Sequence, residues 1–114
     1  MTRRDYLLLF LVGLLFTSAI AWFQGSPGYM DADYYYAGGL RLVQGYGFTE
    51  NYLWNYLDNP QSLPHPSHGY WFPLASILAA AGMWLTGTQA FVAARLGFIL
   101  VAALVPPVSS ALAF

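Results

Sequence analysis

Residues 6–23 read YLLLFLVGLLFTSAIAWF, a run without a single charge, and this stretch decides the fold class. As a helix it is about 27 Å long at the ~1.5 Å rise per residue, close to the ~30 Å of a bilayer's hydrocarbon core. Trp22 and Phe23 suit the far interface, where aromatic rings settle. Arg3 and Arg4 precede the run and place the N-terminus in the cytoplasm by the positive-inside rule. A cleaved signal peptide is the rival reading, because Ala19-Ile20-Ala21 has the small-x-small pattern of a cleavage site. The membranous remainder of the chain favours a retained anchor.

Composition agrees with that first stretch. Of 114 residues, 58% are hydrophobic and 8% charged, where a soluble domain carries roughly a quarter charged. The net charge of −1 leaves no electrostatic footprint for nucleic acid. Cysteine is absent, which excludes disulfides and thiolate metal sites. The charges cluster: Arg3, Arg4 and Asp5 at the start, then Asp31, Asp33, Arg41, Glu50 and Asp58 in one segment, with Arg95 alone.

Beyond the first span, residues 24–70 read as one large external loop. A short helix is predicted from Asp31 or Asp33 to about Gln44, because Tyr36, Leu40 and Val43 recur at i, i+4 and i+7. Gly45-Tyr46-Gly47 ends it, and its amphipathic character predicts that it lies in the membrane interface. Asp58-Asn59-Pro60 reads as a turn. The segment from Leu63 to Ser67 is predicted to be extended, since Pro64 and Pro66 disfavour helix. A second span is expected over about 71–87, with Pro73 in its first turn and Gly87 and Thr88 ending it. A third is expected over 90–114, with Arg95 snorkelling to the cytoplasmic interface and Pro106 and Pro107 kinking or breaking the helix.

Two carboxylates just past the first span are the strongest chemical signal, because carboxylates near lipid are expensive. In extended backbone Asp31 and Asp33 face the same way. Such a pair suits a hard divalent cation, Mg or Mn, through oxygen ligands, and one alone suits a general base. The plainer reading makes Asp33 a helix N-cap. His65 and His68 suit phosphate or metal, or meet backbone carbonyls as polar loop side chains; two histidines alone do not make a zinc site. Arg41, the loop's only arginine or lysine, pairs with Glu50 or Asp58 or meets a lipid-linked phosphate. Eight of the nine tyrosines lie between Tyr29 and Tyr70. Interfacial anchoring accounts for many of them, and Tyr35, Trp54, Tyr70 and Trp71 are candidates to line a sugar or lipid site.

Met30-Asp31, Tyr35, Leu40, Leu42 and Gly45-Tyr46-Gly47 resemble the first external loop of polytopic membrane glycosyltransferases of the C-type fold. That superfamily includes protein mannosyltransferases, lipid A aminoarabinose transferases and the catalytic subunit of oligosaccharyltransferase. The run from Pro64 through His65, His68, Tyr70 and Trp71 to Leu74 resembles the approach to their second span, and Ala93-Ala94-Arg95-Leu96 the start of their third. The resemblance covers only the N-terminal part of such an enzyme. It implies a catalytic or metal-binding role for Asp31, a less secure one for Asp33, and Ala32 where the family often has Glu.

The combined expectation is an all-α membrane protein with about three transmembrane helices and one external loop holding a short interfacial amphipathic helix. It is a multi-pass protein of the plasma (inner) membrane. It reads as the N-terminal portion of a glycosyltransferase, inactive by itself. The resemblance implies sugar transfer from a polyprenyl-phosphate donor to an acceptor of unknown chemistry, with Asp31 as base and Arg41, His65 and His68 as candidates to stabilise the leaving phosphate. The partners are that donor and membrane lipid, with no nucleic acid. A non-catalytic membrane subunit or scaffold packing through Ala79-Ala80-Ala81-Gly82 is the alternative, and a transporter fragment with Asp31 in an ion path is a further one.

Overall fold

The computed structural model describes residues 2–53 and 61–113. These form four helices, α1 (Arg3–Trp22), α2 (Met30–Val43), α3 (Leu74–Thr86) and α4 (Phe91–Ala113), and two short strands, β1 (Thr49–Glu50) and β2 (His65–Pro66). The strands pair antiparallel, Thr49 opposite Pro66 and Glu50 opposite His65. The expected turn at Asp58-Asn59-Pro60 lies outside the described residues.

Local chemistry sets the helix ends. Thr2 and Asp5 form a reciprocal capping box at the start of α1, with the Thr2 N–H donating to Asp5 Oδ2 at 2.6 Å, which satisfies donors that have no helical partner. At the end of α2 the Tyr46 N–H donates to the Arg41 carbonyl at 2.9 Å and the Gly45 N–H to the Leu42 carbonyl at 3.1 Å. This paired closure needs a left-handed residue, and Gly45 supplies it with φ +82°. Gly87, with φ +67°, ends α3 in the same left-handed conformation.

Two helices, α1 with 20 residues and α4 with 23, are long and apolar enough to cross a membrane. The span expected over 71–87 is instead the 13-residue α3, about 20 Å long at the ~1.5 Å helical rise and short of a ~30 Å hydrocarbon core. Pro73 at its N-cap and Gly87 at its C-cap bound it closely. The proline pair does not break α4, which continues through Pro106 and Pro107 to Ala113.

Helix α4 runs antiparallel to α1. Arg95, near the start of α4, donates to the carbonyls of Ala21 and Gln24 at the end of α1. Further along, Gly13 faces Ala103, where an added Cβ would lie 3.0 Å from the Ala103 oxygen and 3.3 Å from Pro106 Cγ. Pro107 has no N–H to offer the Ala103 carbonyl, so this oxygen is left facing the glycine. The turn between α3 and α4 therefore sits at the same end of the molecule as Gln24. Arg95 is at the opposite end from Arg3 and Arg4, not beside them at a cytoplasmic interface.

Helix α3 folds back along the first turns of α4. A methyl at Gly82 would run into the Ala93 carbonyl, and one at Gly97 would come within 2.5 Å of the Leu78 carbonyl. Ala79, Met83, Ala93 and Ala94 form the buried core, and Tyr36, Leu40 and Val43 of α2 pack onto it. The apolar face of α2 thus exists as expected, but α3 and α4 cover it, so it does not lie open to a membrane surface.

Two predictions follow from these contacts. When α1 and α4 cross a bilayer, Ser26 and Thr88 lie on the same side. Single-cysteine variants at the two positions, in a chain without native cysteine, will react with an impermeant maleimide from the same face of sealed vesicles; labelling from opposite faces would contradict the antiparallel pair. Gly82→Ala will lower stability by about 1–3 kcal/mol through overpacking, read by unfolding in detergent micelles. Gly25→Ala, which meets nothing within 4 Å, will stay within about 0.5 kcal/mol of the parent.

Candidate functional site

The first turn of α2, the end of α1 and the start of α4 border an open cavity of about 510 Å³. Helical spacing builds its walls. Thr17, Ile20 and Ala21 project from one face of α1 with Gln24 just past its end, and Arg95, Phe98, Ile99 and Ala102 from one face of α4, while Asp31 and Tyr35 close the end nearest the α2 N-terminus. Polar groups gather at that end and apolar ones line the part between the two long helices.

Asp31 and Asp33 both lie in the first turn of α2, where the helix dipole favours negative charge. Tyr29 occupies the N-cap, and the Asp33 N–H donates to its carbonyl at 2.9 Å. Asp33 is therefore inside the helix and not its cap. Two residues apart in a helix, at about 100° per residue, the two carboxylates diverge. Asp31 lines the large cavity. Asp33 instead lies within electrostatic reach of Tyr52, whose hydroxyl is pushed up to about 12, first by burial and then by Glu50, with smaller effects from Tyr34 and Asp33. The shared face expected of the pair is lost because the backbone is helical rather than extended. No group of three His, Asp or Glu residues converges among the described residues. The Asp31–Asp33 pair does not fit one bridging divalent cation. Among the described residues, nothing hydrogen-bonds or ion-pairs with the Asp31 carboxylate.

Arg95 is the cation of this cavity. Its Nη1 donates to the Gln24 carbonyl at 2.6 Å and to the Ala21 carbonyl, supplying positive charge to an α1 C-terminus that has no basic residue of its own. The guanidinium carbon lies 5.0 Å from the centre of the Phe91 ring. Its Nε is buried and finds no acceptor among the described residues. An unmet buried donor of this kind is costly.

The residues expected to hold phosphate are engaged elsewhere. Arg41 donates from Nε and Nη2 to Thr49 Oγ1 at 3.0 and 2.7 Å and stacks on Tyr46 at 4.1 Å. His65 sits in β2 with Nδ1 3.8 Å from Glu50 Oε1. His68 ties the loop to the helices. Its N–H donates to the Tyr34 hydroxyl at 2.6 Å, and its ring reaches Ser67 Oγ at 2.6 Å and Ser76 Oγ at 2.9 Å. Ser76, fully buried, spends its proton on the Tyr35 carbonyl at 3.0 Å. His68 Nε2 must then carry a proton and donate, and Nδ1 accepts from Ser67. That fixes a neutral imidazole in one tautomer. A cavity of about 200 Å³ lies between α2 and β1, bordered by Arg41, Glu50 and Tyr52. Of the aromatic candidates, Tyr35 lines the large cavity, Tyr70 and Trp71 are exposed outside it, and Trp54 lies outside the described residues.

Arg95, Ser76 and Tyr34 are the residues that sequence reasoning left out of the site. The signal for Arg95 was available: it is the only charge after Asp58, and an isolated ion in an apolar stretch marks function or a specific partner. Ser76 and Tyr34 carry no comparable local signal. Comparison with protein-family models, curated proteins and solved structures finds no match to this chain.

Burial holds the His68 imidazole below its ordinary value of 6.5. The native state therefore resists protonation, and its stability is intact above about pH 6.5 and falls as pH drops below that value. Thermal unfolding followed by circular dichroism will show a larger loss between pH 7.5 and 5 in the parent than in His68→Gln. Equal losses would remove His68 from the account.

Proposed function

We propose that this chain supplies the donor-binding part of a membrane glycosyltransferase that takes a sugar from a polyprenyl phosphate. The observation that carries the reading is the cavity, whose lining includes the Asp31 carboxylate and the Arg95 guanidinium together with an apolar slot between α1 and α4. An amphiphile with an anionic head and a hydrocarbon tail matches that division. The resemblance of Met30-Asp31 and the loop after it to C-type-fold transferases supports the same reading.

In the proposed reaction the acceptor hydroxyl attacks the anomeric carbon of the donor sugar. Asp31 takes the hydroxyl proton as the new glycosidic bond forms. The bond from the anomeric carbon to the phosphate oxygen breaks with inversion, and the electron pair leaves with the polyprenyl phosphate. Arg95 stabilises that anion, taking the role that the sequence assigned to Arg41, His65 and His68. No step passes through a metal. The N-terminus faces the cytoplasm because Arg3 and Arg4 precede α1, and the cavity opens at the external face of the plasma membrane.

The reading predicts separable effects. In a full-length transferase containing this chain, Asp31→Asn will lower sugar transfer by ~10²-fold or more and leave donor binding unchanged. Arg95→Gln will weaken donor binding by about tenfold or more through the lost charge-assisted hydrogen bond. Transfer that survives Asp31→Asn would remove the catalytic assignment. A scaffold, the second class considered, would tolerate both changes.

A further inference from the structure

We infer that the cavity recognises only the head-proximal hydrocarbon of a lipid phosphate and is indifferent to the length of the remaining tail; this rests on the donor-site reading above. The geometry of the two long helices carries it. The slot begins at Arg95 and Gln24 and its last lining residues are Ala102 on α4 and Thr17 on α1. Seven residues separate the two ends on α4, which is about 10 Å at the ~1.5 Å helical rise. One turn further along α1 the helices close on each other. There an added Cβ at Gly13 would lie 3.0 Å from the Ala103 carbonyl and 3.2 Å from its Cα, with Pro106 packed beside it.

That contact is a floor. It forms because glycine lacks a side chain and because Pro107 leaves the Ala103 oxygen without its helical donor, so α4 presents bare backbone to α1. A hydrocarbon entering from the Arg95 end therefore meets protein for about 10 Å and must then turn aside. Beyond that point its neighbours are the same as those of any lipid in the bilayer. Dispersion contacts with the protein stop growing once the slot is full. In a lipid phase, extra tail length then adds nothing to the difference between bound and free.

Phe98 and Ile99 supply the bulk of the apolar wall from α4 and Ile20 from α1. None of the three is an ion or a hydrogen-bonding group, so the slot selects by filling and not by polarity. The head is selected separately, by the positive charge of Arg95 at the slot's entrance.

The test uses the full 114-residue chain in phosphatidylcholine nanodiscs and a series of prenyl monophosphates: dimethylallyl, geranyl, farnesyl and geranylgeranyl. Affinity is expressed as mole fraction in the lipid, so that partitioning of the probe cancels. The expected result is a rise of about threefold or more from dimethylallyl to geranyl phosphate and a change of less than about twofold from geranyl to geranylgeranyl. Ala102→Phe, with Thr17→Leu as a second variant in case the first does not fold, will fill the slot and erase the geranyl advantage while leaving dimethylallyl phosphate binding in place. A rise that continues through geranylgeranyl phosphate overturns the short slot but leaves the donor-site reading standing. Prenyl alcohols that bind as well as the phosphates, or no binding in the series, overturn both.

Discussion

Close approach of bare backbone is the constraint on which this structure depends. Helices in lipid gain little from hiding apolar side chains, since the tails around them are equally apolar, and they associate through tight packing at small residues. Here glycine provides the approach at each crossing. Gly13 admits α4 to α1, Gly82 and Gly97 admit α3 and α4 to each other, and Gly38 and Gly39 admit α2 to Ser76 and Ala79. Among the described residues most of the fully buried side chains are correspondingly small, with Ala79, Ala80, Ala103 and Ser76 at 1% exposure or less and Met83 a larger exception. The large apolar side chains, Leu15, Phe16, Val105 and Leu112 among them, point outward.

The same packing scheme makes the cavity. Where α1 and α4 meet at Gly13 they touch; nearer the α2 end, side chains of ordinary size hold them apart, and the first turn of α2 covers the gap. The Tyr36 hydroxyl donates to the Gln89 carbonyl at 2.8 Å and its ring meets Phe91 edge-on, which pins α2 over the start of α4. Gln44 joins Gln89 at 3.0 Å. His68, with φ +66°, turns the loop back so that one residue bonds Tyr34 on α2 and Ser76 on α3. Arg95 holds the end of α1 to α4 and also lines the cavity. One side chain thus serves as structural clamp and as proposed anion receptor.

Much of the local structure was legible in the sequence. The charge-free run at 6–23, the i, i+4, i+7 face of α2 and the stops at Gly45 and Gly87 act over a turn or two of chain, and each lies where its residues indicate. The failures are long-range. The run from Trp71 to Leu85 is apolar enough to suggest a span, but Pro73 and Gly87 leave too few helical residues, and the contacts of Arg95 with Ala21 and Gln24 place the α3–α4 turn at the end of the molecule where α1 stops. Those contacts join positions more than seventy residues apart, which spacing rules cannot see. Extended backbone would align Asp31 and Asp33 on one face. The helix begins one residue before Asp31 and separates them. The partners of His68, Tyr34 and Ser76, are neighbours only in the folded chain, so its role as a tie between loop and helices is not legible locally.

The central claim is that Arg95 receives the anionic head of a lipid phosphate. The most direct test is the distance from its guanidinium to phosphorus. With ¹⁵N-labelled arginine and a prenyl phosphate in lipid bilayers, ¹⁵N–³¹P dipolar dephasing in solid-state NMR reports which guanidinium lies next to the phosphate. The account predicts dephasing of one arginine, lost in Arg95→Gln and kept in Arg41→Gln. Dephasing that follows Arg41, or that belongs to Arg3 and Arg4 at the opposite end of α1, would contradict it.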